Sequence, residues 1–376
     1  MSQSAERRVF ILGAGCSVEC GYPPGTGLAA ELEKFLQEVQ EIPDEKCSRI
    51  KPSLTATVEL LREMPEVDTI DQLAARIDQD LNDWKRQRDS RIADAEYLNK
   101  EELAAKQILA AKIATWAMFL AREDKARKTR LPRYRDFITQ ILGGPPWTAA
   151  READCCVLTF NYDRLFEIAF SESFPTFDLR NHPVYGSDAL NSSFDHKFGE
   201  WSVVPPTPGR FCFLKLHGSA GWWVKRDHGR RARQYWLADP AEAMSLEQIE
   251  ASIPKNCGGP LGWEPLLAFP HERQESQEVF NARGESSDHV WAPYIDAVWQ
   301  HAARVLANAA EVRVIGYSFN PIDSRYMVNE LLSEATCERI VIQNKVDVRT
   351  NLESYRQLRG RLDFDPTPFG TISRAS

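Results

Sequence analysis

Arg7-Arg8-Val9-Phe10-Ile11-Leu12-Gly13-Ala14-Gly15-Cys16-Ser17 is the stretch that decides how this chain is read. The apolar run Val9–Leu12 has no polar alternation, which is how a strand buried on both faces reads. It ends in Gly13-Ala14-Gly15, and Gly21-Tyr22-Pro23 follows within a few residues. Glycine lets backbone N–H groups come close to a pyrophosphate, and a helix starting there adds partial positive charge. The same residues also suit a plain tight turn, so the decision passes to the rest of the chain.

Four further apolar runs read as buried strands: Cys156–Phe160, Phe211–Leu216, Val312–Ile315 and Ile340–Ile342. Polar or glycine-bearing turns follow three of them: Asn161-Tyr162-Asp163, His217-Gly218-Ser219 and Gly316-Tyr317-Ser318. This pattern predicts an α/β fold, a Rossmann-like parallel sheet with helices on both faces. The turns would gather at the carboxyl ends of the strands, where such sheets bind ligands.

Between the first two strands, roughly residues 40–146 are too long for one crossover helix and read as a large helical insertion. Ile70, Leu73, Ala74, Ile77, Leu81 and Trp84 recur at helical spacing, as do Leu109, Ile113, Trp116, Ala117 and Leu120. A third helix carries Phe137, Ile138, Ile141 and Leu142 and stops at Gly143-Gly144-Pro145-Pro146. Residues 174–210 read as loops, and 222–290 as a smaller irregular insertion. Residues 291–310 read as a helix with Tyr294, Val298, His301, Ala302, Val305 and Leu306 on one face, His301 packing there rather than acting as a ligand.

The net charge of -8 excludes the global basic field of a nucleic-acid binder. The Lys/Arg-rich run from Arg122 to Arg133 reads as a solvated helix end or loop. No run of eighteen apolar residues predicts a membrane span, and the polar N-terminus lacks a signal-peptide layout. None of the eight cysteines forms a Cys-x-x-Cys pair, which argues against a zinc ribbon and leaves no metal site expected. Reduced thiols and a cytoplasmic location are the simplest reading.

Taken in order, Gly13-Ala14-Gly15-Cys16-Ser17, Gly21-Tyr22-Pro23, Thr159-Phe160-Asn161-Tyr162-Asp163, Leu216-His217-Gly218 and Gly316-Tyr317-Ser318 resemble the sirtuin superfamily. There the matching segments read Gly-Ala-Gly-x-Ser, Gly-Ile-Pro, Thr-Gln-Asn-Ile-Asp, Leu-His-Gly and Gly-Thr-Ser. More narrowly, the chain resembles the sirtuin-like proteins of bacterial antiphage defence, in which Phe160 and Tyr162 replace Gln and Ile. The resemblance implies one sirtuin-like domain over residues 1–376, interrupted by the two insertions. It also implies roles: Gly13, Ala14, Gly15 and Ser17 around the NAD pyrophosphate, and Gly21, Tyr22 and Pro23 on a flexible loop over the nicotinamide half. Asn161 would position water or a ribose hydroxyl, Asp163 would help hold the carboxamide, and His217 would be the general base. Gly316 and Ser318 would contact the adenosine ribose, with Asp323 in the same turn and Asn344 near the adenosine.

Read singly, Asn161 and Asp163 also suit helix N-caps, His217 a core imidazole, and Ser318 and Asp323 turn residues. The two Cys-x-x-Cys pairs of the protein-deacetylating members are missing, which puts their peptide channel in doubt. The activity implied is therefore NAD glycohydrolysis, yielding nicotinamide and ADP-ribose, by the NAD-depleting effector of a defence system. The alternatives are a non-hydrolysing NAD or ADP-ribose sensor and a zinc-free deacylase or ADP-ribosyltransferase. A homo-oligomer is expected, with a separate activating protein: a HerA-type ATPase is favoured over a short Argonaute. No membrane and no direct nucleic-acid contact are expected.

Overall fold

Strand β1 (Arg8–Leu12) is buried from Val9 onward and lies in the middle of the main sheet of the computed structural model. The structure describes residues 7–18, 21–23, 27–87, 94–129, 131–143, 154–175, 194–195, 200–201, 211–225, 234–237, 244–255, 257, 262–269, 292–319 and 327–372. After β1 come α1 (Gly15–Val18), a single turn, then α2 (Leu28–Gln40), α3 (Ile50–Glu63), α4 (Ile70–Gln87), α5 (Asp94–Thr129) and α6 (Leu131–Leu142). The chain then enters β2 (Cys155–Thr159) and α7 (Leu165–Ser173), a short ribbon of β3 (Phe194–Asp195) and β4 (Glu200–Trp201), and β5 (Cys212–Lys215). Strands β6 (Gly218–Lys225) and β7 (Gln234–Leu237), helix α8 (Leu246–Ser252) and β8 (Trp263–Leu267) follow. Helix α9 (Ala292–Ala307) and strands β9 (Glu311–Ile315), β10 (Ile340–Gln343) and β11 (Leu362–Asp365) come last, with short 3-10 and π turns between the longer elements.

The main sheet has the order β11-β10-β9-β1-β2-β5, and all its pairs are parallel. Counted along the chain within this sheet, that is 6-5-4-1-2-3, the doubly wound dinucleotide-binding order. Its direction reverses between β1 and β9, so the crevice opens beyond the carboxyl ends of those two strands. The five apolar runs read from the sequence all form strands of this sheet. The sixth, β11, escapes the reading because Leu362-Asp363-Phe364-Asp365 is half-buried and alternates like an edge strand.

The helical insertion between β1 and β2 is present, and its helices are amphipathic for a visible reason. On α6, Tyr134, Phe137, Ile138, Ile141 and Leu142 recur at helical spacing and are buried. Helix α5 differs. From Ala111 to Leu120 every residue is buried, so the helix runs through the interior with no polar face there. By length and composition its Asn99–Lys128 stretch could cross a membrane, and most of that stretch is buried inside the protein.

Within 222–290 the described residues form a small antiparallel sheet, β7-β6-β8, rather than irregular chain. Trp223 on β6 meets Trp116 of α5 edge-on, with ring centres 4.9 Å apart. The small sheet and the helical insertion therefore share a core. Helix α8 begins with Ser245 and Gln248 satisfying each other's backbone N–H groups.

The thiol expectation needs one correction. The parallel register sets Cys156 directly beside Cys212, and the two are joined in a disulfide. Cys47, Cys155, Cys257 and Cys337 are free thiols, the Cys16 thiol donates to the Ile315 carbonyl, and Cys20 lies outside the described residues.

Candidate active site

Gly13 and Gly15 sit where the β1 turn touches the β9 turn. A Cβ on Gly13 would lie 2.7 Å from the Gly316 carbonyl oxygen and from the Tyr317 Cα. A Cβ on Gly15 would lie 2.7 Å from the same oxygen, and one on Gly316 2.6 Å from the Cys16 nitrogen. Gly316 also has φ of 63°, in the left-handed region. These glycines are thus required by the approach of two backbones at the point where the strand order reverses. The N–H of Gly13 bonds the Ile315 carbonyl, and that of Gly15 bonds Gly316. Those of Cys16, Ser17 and Val18 bond within the turn itself. The turn is therefore largely self-satisfied, and α1 is too short to carry much dipole. Exposed Ala14 is the residue of the turn whose N–H enters none of these bonds.

Asn161 lies two residues past the end of β2, next to this turn. Its amide Nδ2 donates to the Gly13 carbonyl at 3.0 Å and to the Ser17 Oγ at 3.2 Å. A carbonyl can only accept, so the amide is held with nitrogen inward. The Asn161 Oδ1 is buried and has no hydrogen-bond partner among the described residues. A buried acceptor left unsatisfied costs about 1–3 kcal/mol; here it awaits a donor, such as a hydroxyl or water.

Ser17 is a hub. Its Oγ donates to Asp163 Oδ2 at 2.7 Å and contacts the Tyr134 hydroxyl at 2.8 Å. Asp163 Oδ1 accepts the Leu165 N–H in an Asx-type turn one residue before the N-cap, Arg164, whose side chain makes no cap bond. Burial pushes the Asp163 carboxyl above its ordinary pKa, while the Lys215 charge, the Ser17 hydroxyl and the Leu165 N–H pull it back. Lys215, the last residue of β5, donates to the Asp163 carbonyl and makes a fully buried ion pair with Glu167 at 2.8 Å. The neighbouring Arg164 forms a two-pronged, fully buried pair with Glu123 of α5, at 2.5 and 2.6 Å.

His217 lies two residues beyond Lys215, as Asn161 lies two beyond Thr159. Those two strand ends are register partners, so both residues leave the sheet at the same level on neighbouring strands. Their surroundings differ. The imidazole is boxed by Phe160 at 5.1 Å, Tyr162 at 6.0 Å and Trp299 of α9 at 6.3 Å, the last nearly parallel. The indole N–H of Trp299 is held by the Leu216 carbonyl at 2.9 Å. Phe160 also touches Tyr317 of the β9 turn, which closes the aromatic wall toward the crevice.

The remaining residues spread around this centre. Tyr22 is buried, stacks on Phe119 of α5 and donates to the Phe119 carbonyl, so its loop is anchored on the helical insertion. Among the described residues, nothing lies within 4 Å of a Cβ built on Gly21, and Pro23 is half-buried. Ser318 is exposed, and its carbonyl accepts from the Asn351 amide. Asn344 donates to the Tyr317 carbonyl at 3.1 Å and thereby braces the β9 turn. Asp323 lies outside the described residues. A cavity of about 510 Å³ between α2, α5 and the start of α8 is lined by Phe35, Val39, Arg122 and Leu246, and shares no residue with this centre.

Sequence reasoning missed Tyr134, Trp299, Lys215 and the Arg164–Glu123 pair. Tyr134 and Trp299 were within reach: each falls on the buried stripe of its helix, and each carries a polar group that a buried position must satisfy. The buried charges gave no such signal.

Residues 156–242, which include β2, β5, Asn161 and His217, match the model of a SIR2-like domain. No curated protein sequence matches the chain. Among solved structures, a Sir2 homolog in complex with NAD aligns at 13% identity and a TM-score of 0.41, covering 98% of this chain and 86% of that one. A Sir2 homologue mutant in complex with 2'-O-acetyl ADP ribose aligns at 15% identity and a TM-score of 0.40, covering 98% and 90%. At this similarity the fold rests on the strand order itself, not on these alignments.

Proposed function

We propose that this chain hydrolyses the nicotinamide–ribose bond of NAD. The observation that carries the reading is the orphaned Asn161 Oδ1, buried beside the glycine turn with its own nitrogen locked inward. An acceptor fixed in that way selects a donor, and both a ribose hydroxyl and a nucleophilic water are donors. The SIR2-like match over the same segment and the reversal of strand order beside Gly13 support a dinucleotide as the molecule bound there.

In this reading the adenosine half lies along the β9 and β10 turns, at Gly316, Ser318 and Asn344. The Ala14 N–H is available to the pyrophosphate. Asn161 holds a ribose hydroxyl or the water, and Asp163 acts through Ser17 to keep that part of the site rigid. As the bond to nicotinamide breaks, positive charge builds on the ribose carbon and the ring departs as a neutral base. Water attacks the opposite face and His217 takes its proton, so NAD and water give nicotinamide, ADP-ribose and one proton. The aromatic box of Phe160, Tyr162 and Trp299 excludes bulk water and suits a planar ring.

Unchecked NAD hydrolysis would kill the cell that makes it. We therefore extend the proposal to an NAD-depleting effector of antiphage defence, built as a homo-oligomer and held inactive until a separate protein triggers it. A HerA-type ATPase is the partner favoured by the sequence resemblance, and a short Argonaute the alternative.

The test is nicotinamide and ADP-ribose release from NAD by the purified full chain, alone and with the product of its neighbouring gene. Asn161→Ala and His217→Ala are each expected to lower the rate by about 10²–10⁴-fold. Variants that cleave as fast as the parent overturn the roles assigned. Nucleotide bound tightly but recovered intact under every condition would replace hydrolysis with sensing. ADP-ribose found on a protein or nucleic acid would replace it with transfer.

A further inference from the structure

We infer that Tyr134, on the helical insertion, is a positioning residue for Asn161; the inference rests on the proposed reaction and adds a residue to it. Ser17 has one hydroxyl proton and two acceptor positions. The proton goes to Asp163 Oδ2 at 2.7 Å, and one acceptor position takes the Asn161 amide at 3.2 Å. The contact with the Tyr134 hydroxyl at 2.8 Å is then one in which Ser17 accepts. With it, every position on the Ser17 oxygen is filled.

That filling has a consequence at Asn161. Without the tyrosine proton, the Ser17 oxygen loses one of the three partners that fix it, and its hold on the Asn161 amide loosens. The Gly13 carbonyl alone then restrains the amide. With the tyrosine in place, Nδ2 has two fixed acceptors and Oδ1 is fixed in a direction with no partner among the described residues. Tyr134 itself is fully buried, with its ring edge-on to Phe369 at 4.7 Å. Its ring position therefore does not depend on the hydroxyl. Helix α6 thus reaches from the insertion into the site with one oxygen.

The experiment uses the full chain with Tyr134→Phe, which keeps the ring and removes the oxygen, beside Ser17→Ala and the double variant. Asparagine-labelled protein gives the first readout: hydrogen exchange of the Asn161 side-chain amide, assigned by its loss in Asn161→Gln. Tyr134→Phe is expected to speed that exchange at least about tenfold. The second readout is NAD cleavage. A kcat lower by about 10- to 100-fold with KM within about threefold is expected, as a misplaced reacting group gives. The double variant is expected to be no slower than Ser17→Ala alone, because the two groups act in one chain. Unchanged amide exchange, or single effects that simply multiply, would overturn the inference. A parent chain that cleaves no NAD would sink the proposed function, while the amide readout would still decide the role of Tyr134.

Discussion

The crevice at the carboxyl edge of the sheet has two walls, and they are built by different means. On the β1–β9 side, backbone lies on backbone: Gly13, Gly15 and Gly316 approach so closely that no side chain fits between the turns. On the β2–β5 side, the turns are held by side chains. Asp163, Arg164, Lys215, Glu167 and Glu123 are all buried, and two of the partners that hold this side, Glu123 and Tyr134, come from the helical insertion. The first wall is rigid by sterics. The second is rigid only while several buried charges stay paired, and part of that pairing is supplied by the insertion.

The largest expected effect breaks the second wall at its charged joint. Glu123→Gln keeps the shape but removes the carboxylate charge that meets the Arg164 guanidinium in this buried pair. Breaking such a pair costs about 3–5 kcal/mol. Urea unfolding should read that loss, and a change below about 1 kcal/mol would show that the insertion does not anchor the turn through this pair. Glu123→Leu combined with Arg164→Met should recover most of the stability, since replacing both partners by apolar groups is often neutral. That double variant would keep the fold and lose the coupling, which sharpens the contrast between the walls.

The next effect follows from His301 on α9, the helix that sets Trp299 against His217. His301 is buried, its Nδ1 has no partner among the described residues, and burial lowers its pKa to about 4, with Arg304 and Arg7 adding to the shift. In the unfolded chain it titrates near 6.5, so between those values the unfolded state binds more protons. Stability is then complete above about pH 6.5 and falls as pH drops toward 4, by about 3 kcal/mol in all. His301→Leu should flatten that limb of a melting-temperature profile. If parent and variant lose stability in parallel from pH 6.5 to 4, the imidazole is not the group responsible.

The same contrast explains what could be read without a structure. The sheet was legible because its strands are continuous apolar runs ending in glycine or polar turns, and the turn residues Gly13, Asn161, His217 and Gly316 announce themselves by position. The edge strand β11 was not, because Asp363 and Asp365 interrupt it. The Cys156–Cys212 pair depends on register between strands 56 residues apart, which no local spacing records. The second wall was hidden for a like reason. Glu123 and Arg164 are 41 residues apart and Ser17 and Tyr134 are 117 apart. A charged residue on a helix reads as solvated until its partner is known. Arg127, in the run read as a solvated helix end or loop, is partly buried, and its pKa is lowered by desolvation. Asn161 was legible as a candidate, but the orphaned oxygen that gives it a chemical direction was not.

The smallest expected effect tests the first wall. Gly13→Ala places a methyl 2.7 Å from a carbonyl oxygen and a backbone carbon of the β9 turn, neither of which can rotate away. The two turns must part, at an overpacking cost of about 1–3 kcal/mol. Gly21→Ala is the matched control, because a Cβ there meets none of the described residues within 4 Å, though its φ of 88° still strains the alanine. The discriminating readout is binding rather than melting. If the β1–β9 wall shapes the crevice, Gly13→Ala should weaken ADP-ribose binding in calorimetry by more than its loss of stability accounts for, and Gly21→Ala should weaken it less. Equal affinities for the two variants would mean that the glycine contact serves the sheet alone, and that the nucleotide is held from the β2–β5 side.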